Sequence, residues 1–391
     1  MIYLDHGATT PVHPEVLEAM MPFFRGHFGN PSSLHGFGRE GKAAVEEARR
    51  RTAELIGADP DEIVFTSGGT EGDNLAVLGA ALARGNPGDH VITTAVEHHA
   101  VLDACRGLEG RGFSVTVLPV DAFGRLDPET LRAALTDRTV LVSVMFGNNE
   151  IGTLQPVGEI GPLLRDRGIL FHTDAVQAVG KVPVDAGRLP VDLLTLSGHK
   201  IYGPKGVGAL YIRRGTAVSP LFHGGKQERG LRPGTENVPG IAGLGKACEI
   251  ARRELPSQGE HLGELRYYLA SRIEEEIDGC RRNGSDGESL PHILNVSFRG
   301  IEAEKILVEM DRRGIALSAG SACTAGTVVI SHVMEALGVP REWAAGSIRF
   351  SLGRENTVAE MDAVVAALTE VTAKLRGLSE LERSRGQRGC I

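Results

Sequence analysis

The chain has 391 residues, 42 Lys and Arg against 50 Asp and Glu, a formal net charge of −8 and 41% hydrophobic residues. That length favours a large and a small lobe over one core, and the acidic balance offers neither a basic stripe for nucleic acid nor a polybasic segment for a membrane surface. The opening Met1-Ile2-Tyr3-Leu4-Asp5-His6 lacks the features of a secretory signal, and no apolar run approaches the ~18 residues of a membrane span, so a cytoplasmic protein with a small-molecule partner is expected.

In chain order, a first helix is expected over 14–24. Short β-branched runs then alternate with amphipathic stretches, which predicts strands at 63–66, 91–94, 115–118, 140–145, 169–173, 193–197 and 207–212. This is the rhythm of an α/β lobe with a seven-stranded, mostly parallel sheet covered by helices. Two helical segments, 239–253 and 259–277, lead into a smaller α+β lobe with strand 293–298, helix 302–313, strand 348–352 and helix 358–375. The division by chain is 15–255 for the large domain, 1–14 with 256–378 for the small one, and 379–391 as a polar, frayed tail. The first helix, although counted with the large domain from residue 15, is expected to dock on the small lobe. The cysteines, at 105, 248, 280, 323 and 390, are odd in number, far apart and without a CxxC pair. Neither a disulfide framework nor a zinc knuckle is indicated.

Three stretches could carry chemistry. Lys200, in Leu196-Ser197-Gly198-His199-Lys200, follows an apolar strand and precedes a Gly-rich turn. A lysine desolvated at a strand's carboxyl end can form a Schiff base with an aldehyde cofactor, and the ordinary alternative is an exposed loop lysine. In Phe65-Thr66-Ser67-Gly68-Gly69-Thr70-Glu71 a strand gives way to a helix, where glycines, free N–H groups and the Thr70 hydroxyl suit a phosphate. A plain capping turn looks the same. Asp174 ends the apolar run Phe171-His172-Thr173-Asp174 with no adjacent base. A protonated pyridine nitrogen would supply the missing cation, and a helix cap is the competing account. The P-loop spacing from Gly240 to Lys246 lacks the Ser or Thr that holds magnesium, since Ala247 follows. His98 and His99 are adjacent, point apart and have no evident third metal ligand.

Together these stretches resemble the cysteine desulfurases of the NifS/IscS type, within the class V aminotransferases of pyridoxal-phosphate (PLP) fold type I. The resemblance runs nearly end to end, from Tyr3-Leu4-Asp5 and Phe28-Gly29-Asn30-Pro31-Ser32-Ser33-Leu34-His35 through Asn148-Asn149-Glu150, His172-Thr173-Asp174-Ala175-Val176-Gln177 and Gly320-Ser321-Ala322-Cys323-Thr324 to Ser347-Ile348-Arg349-Phe350. It implies pyridoxal 5'-phosphate as cofactor, bound to Lys200, with Asp174 on the pyridine nitrogen, Gln177 on the ring hydroxyl and Gly69, Thr70, Ser197 and His199 on the phosphate. In such enzymes a partner-subunit threonine completes that cradle, and Thr235 matches it, which implies a homodimer with shared active sites. His98 is implied to stack on the ring and shuttle protons. Asn149 and Arg349 match the residues that orient the substrate, L-cysteine, and a planar guanidinium suits its carboxylate.

Cys323 lies in a run of small residues, Ser318-Ala319-Gly320-Ser321-Ala322-Cys323-Thr324-Ala325-Gly326. A bystander cysteine is more often packed among large apolar neighbours, whereas a sulfur-accepting thiolate must reach the site and leave again. The resemblance therefore implies conversion of L-cysteine to L-alanine, a persulfide on Cys323 and delivery to a sulfur-acceptor protein such as an iron–sulfur scaffold. No metal site is expected, with Cys323 left open as a transient ligand of a cluster. Cys390 is the rival thiol. Two departures stand out: Gly72 where such enzymes usually have Ser, and Val328-Val329-Ile330 where they commonly read Leu-Glu-Pro. The alternatives are a selenocysteine lyase, an aminotransferase and, from another class, a non-catalytic scaffold partner in iron–sulfur assembly.

Overall fold

The computed structural model describes residues 1–319 and 330–388, with side chains as far as residue 378. Its strands are β1 (Ile2–Tyr3), β2 (Ile63–Thr66), β3 (His90–Thr94), β4 (Ser114–Leu118), β5 (Thr139–Ser143), β6 (Leu170–Asp174), β7 (Leu193–Ser197), β8 (Gly208–Ile212), β9 (Cys280–Asn283), β10 (Ile293–Phe298), β11 (Ile315–Ala316) and β12 (Ser347–Ser351). Strands β2 to β8 form one sheet in the order β2-β8-β7-β6-β5-β3-β4, in which only β8 runs against its neighbours. This is the α/β, mostly parallel seven-stranded sheet expected. Successive side chains point to opposite faces, and both faces are apolar. Ile63, Phe65, Ile92, Val142, Leu194 and Tyr211 enter one core, while Val64, Val91, Leu141, Leu193 and Leu210 enter another. A sheet buried on both sides reads as unbroken apolar runs, which is why these strands were visible.

The smaller lobe has its own core around β10, β12 and the helix Val358–Arg388, with β1 pairing in parallel with β11. Three expectations need correction. The first helix, Pro14–Met20, sends Val16 and Met20 into the large core, because its apolar side meets the helix Val238–Glu276, so it does not dock on the small lobe. The two helical segments around residue 256 are that one helix. Pro256 is exposed, so the carbonyl it deprives of a partner can turn to water instead of breaking the helix. The helix thereby spans both lobes, with Ile241 and Leu244 in the large core and Leu265 and Leu269 in the small. The last helix also continues to Arg388 through the stretch expected to fray. Its Leu, Glu and Arg residues favour helix despite their polarity.

The carboxyl ends of β2, β5, β6 and β7 lie along one edge of the large sheet. Across it passes an extended strap, residues 5–13, that connects β1 to the first helix. The Asp5 backbone bridges to Ser351 of β12, and Gly7 N donates to Ser351 Oγ at 2.8 Å. The strap thus joins the small lobe to the large sheet's edge.

Candidate active site

At that edge a cavity of about 400 Å³ is lined by Gly69, Thr70, His98, Asn149, Asp174, Gln177, Ser197, His199, Lys200 and Arg349. These are ten of the residues singled out from sequence. Thr235 is exposed and does not line the cavity of its own chain. Cys323 and Cys390 lie outside the described residues, as does Val328-Val329.

Lys200 ends a short helical turn after β7. Its Nζ donates to Gly7 O at 2.5 Å and Ala8 O at 2.8 Å, both on the strap. Burial lowers the amine to about 8, with the Arg349 charge contributing in the same direction and Asp174 opposing it. Two residues on, Tyr202 takes φ +63°, unusual for a bulky residue. The strap holds it there: Tyr202 N donates to Thr10 Oγ1 at 2.9 Å, and His13 N donates to Tyr202 O at 2.9 Å.

Asp174 closes β6, where its Oδ1 accepts from Val176 N at 2.9 Å. Burial raises its carboxyl above the usual range, against the pull of His98 and Lys200 across the cavity. Gln177 Nε2 donates to Gly7 O at 2.8 Å. Beside β7, Gly69 opens a helix, and a Cβ there would stand 2.9 Å from Val176 Cγ2, so any other residue would require Val176 to shift. Ser197 Oγ is buried without a partner among the described residues. Burial lowers His199 to about 4, and its Nδ1 lies 3.2 Å from Thr9 Oγ1. An unpaired buried hydroxyl beside free N–H groups at a helix start suits an anion, and a desolvated amine suits an aldehyde. The donor set therefore fits pyridoxal phosphate.

His98 caps the helix His99–Glu109 by accepting Ala100 N on Nδ1 at 3.1 Å, and burial lowers its ring, so it is neutral with its proton on Nε2. His99 points elsewhere, its ring centroid 4.8 Å from that of His332, and no cluster of metal-binding side chains occurs among the described residues. Arg349 is buried in the middle of β12, where Nη1 donates to Asn149 O at 2.9 Å and Nη2 to Asp5 Oδ1 at 2.8 Å, while Nε has no partner among the described residues. Ser331 Oγ donates to Glu150 Oε2 at 2.6 Å, His332 Nε2 lies 2.9 Å from Glu97 O, and Ile330 packs against the cluster of Val96, Met145 and Met334. The apolar departure thus finds an apolar seat at its last residue. Cys105 and Cys248 are buried, which pushes each thiol up to about 12, and burial also raises Cys280. None of the three is a ready thiolate.

Sequence reasoning missed Gly7, Ala8 and Asp73 in the cavity wall. The strap carries no periodic pattern to mark it, and Asp73 reads as part of a capping turn.

A mostly parallel sheet that sets a desolvated lysine, an anion cradle and a buried carboxylate at one edge defines a PLP-type fold-I enzyme. The class-V aminotransferase model matches residues 2–364, and the chain belongs to that family, among its cysteine desulfurases of the NifS/IscS type. It is 50% identical to the cysteine desulfurase IscS of Dictyoglomus turgidum over 97% of this chain and 96% of that one. A solved NifS-like protein matches with a TM-score of 0.90 and 40% identity, over 96% of this chain and all of the other. SspA, solved in complex with cysteine, matches with a TM-score of 0.80 and 38% identity over 90% and 99% of the two chains. Among the described residues no helix is long and apolar enough to cross a membrane.

Proposed function

We propose that this enzyme carries pyridoxal 5'-phosphate on Lys200, converts L-cysteine to L-alanine and leaves the sulfur as a persulfide on Cys323 for iron–sulfur cluster assembly in the cytoplasm. The observation that carries the reading is the convergence of a lysine lowered to about 8, a buried Asp174 and an anion cradle on one cavity. The cofactor, held by Gly69, Thr70, Ser197 and His199 at its phosphate and by Asp174 and Gln177 at its ring, supplies an electron sink.

Everything else falls to this chain's side chains. Arg349, already oriented by Asp5 and Asn149, takes the substrate carboxylate. Lys200, once released, is a free amine that accepts the α-proton, and its lowered pKa keeps much of it neutral near pH 8. His98, pinned by its capping bond, offers the cavity a hydrogen-bond donor and a flat ring face. The Cys323 thiolate attacks the substrate Sγ: a sulfur–sulfur bond forms, the carbon–sulfur bond breaks, and the carbon collects a proton to become alanine. The enzyme acts as a homodimer in which Thr235 of the partner subunit completes the phosphate cradle, and the persulfide passes to a scaffold protein.

Purified protein incubated with L-cysteine and a reductant should release alanine and sulfide in equal amounts, and Cys323→Ala should release little of either. Equal activity in the variant would overturn the persulfide step. A colourless protein that binds no added pyridoxal phosphate would overturn the cofactor.

A further inference from the structure

Behind Asp174 lies a second acid that the proposed chemistry does not use. Asp73, on the helix that begins at the phosphate cradle, is 1% exposed and reaches the wall of the same cavity. Its neighbours share a sheet face with Asp174. His172 stands two residues before Asp174 on β6, and Thr195 is the register partner of Asp174 on β7. His172 is fully buried, with Nδ1 2.8 Å from Ser143 Oγ and Nε2 3.0 Å from Thr195 Oγ1. Asp73 Oδ1 approaches the same Nε2 to 3.6 Å.

This approach is not an ion pair. Burial pushes the His172 ring down to about 3, so it is neutral, and Asp73 Oδ1 has no hydrogen-bond partner among the described residues. Asp174 differs, because it accepts a backbone N–H and faces Lys200 and His98. A third acid, Glu97, is also fully buried, bound to the Thr94 hydroxyl and Met145 N. A buried carboxylate without a cationic partner costs several kcal/mol, and two carboxyls sharing one site do not both ionise. Burial, then the Asp174 charge, raises the Asp73 carboxyl well above its usual range, against the smaller pull of the Thr195 hydroxyl.

We infer that Asp73 is a positioning residue: it keeps its proton in the niche formed by His172 and Thr195, leaving Asp174 as the one negative charge turned toward the cofactor ring. The residue's job is to be polar and neutral at that spot. The role assigned to Asp174 rests on the cofactor reading above, whereas the protonation of Asp73 has its own readout.

That readout is infrared spectroscopy of the full-length protein, with and without pyridoxal phosphate, using isotopically labelled aspartate carboxyls so that Glu97 does not contribute. At neutral pH the holoenzyme should show the carbonyl stretch of one protonated aspartate per chain, and Asp73→Asn should lose it. Absence of the band in the native protein, or its survival in the variant, would overturn the inference. Should Asp73→Asn fail to fold, Thr195→Val serves instead: removing the neighbouring hydroxyl should move the band, and an unmoved band would overturn the inference. Failure to bind pyridoxal phosphate with the band in place would count against the cofactor reading alone.

Discussion

Lys200 is placed by one region of the molecule and conditioned by another. Strand β7 and the turn after it bring the side chain to the sheet edge, on a framework whose residues are almost all buried. The strap of residues 5–13 then crosses that edge and provides the two carbonyls that hold Nζ, the threonine that fixes Tyr202 and the aspartate that orients Arg349. The sheet is rigid because it is packed on both faces. The strap has little core of its own and is held by hydrogen bonds to the small lobe and to Tyr202. Position is therefore the work of packing, and the chemistry of the amine depends on a segment held largely by hydrogen bonds, among them those from Thr10 to His199 O.

Ways to break this division can be ordered by expected effect. Lys200→Ala removes what the sheet delivers and should lower alanine formation by a factor of ~10³ or more while leaving the melting temperature close to native. Residual turnover near the native rate would mean that another amine serves. Gly353→Ala attacks the strap from beneath, since a Cβ there would stand 2.1 Å from His6 Nε2. The His6 ring, which packs against Tyr3 and Tyr202, must move, and the strap that carries it moves with it if the two are coupled: a misplaced Lys200 should then cost roughly tenfold to a hundredfold in kcat, with circular dichroism unchanged. Native kinetics would show that the strap does not condition the lysine.

Acidity sharpens the comparison further. Because the folded amine titrates at about 8 instead of 10.5, it is protonated and unreactive below that point. Capture of pyridoxal phosphate by cofactor-free protein should therefore slow about tenfold for each pH unit below 8 and level off above it. A midpoint near 10.5 would mean a solvated lysine. Tyr202→Phe should have the smallest effect, because it removes only the hydroxyl that accepts Arg354 N at 2.8 Å. Urea unfolding should register about 1 kcal/mol, with kcat within twofold of native.

The same division explains what was legible in the sequence. Six buried strands and the part-exposed edge strand β4 announced themselves as β-branched runs, and the residues at the ends of the buried ones could be read as chemistry because polar groups interrupt apolar ones there. Strand β5 was overextended, since Val144 and Met145 are apolar for core reasons after the ladder has ended. Strand β9, Cys280-Arg281-Arg282-Asn283, was invisible because it is a sheet-edge strand with a polar sequence. The strap has no period to detect, so the acceptors of Lys200 could not be foreseen. Asp73 was hidden for another reason: only the fold brings it against His172 and Thr195.

The central claim is that the sulfur taken from cysteine rests on Cys323 and gets there through the Lys200 site. Native protein and Lys200→Ala, each mixed with L-cysteine without reductant, digested and analysed by mass spectrometry, test it directly. The native peptide that contains Cys323 should gain the mass of one sulfur atom, and the same peptide from the variant should gain none. Sulfur on a different cysteine, or equal labelling in both proteins, would contradict the account.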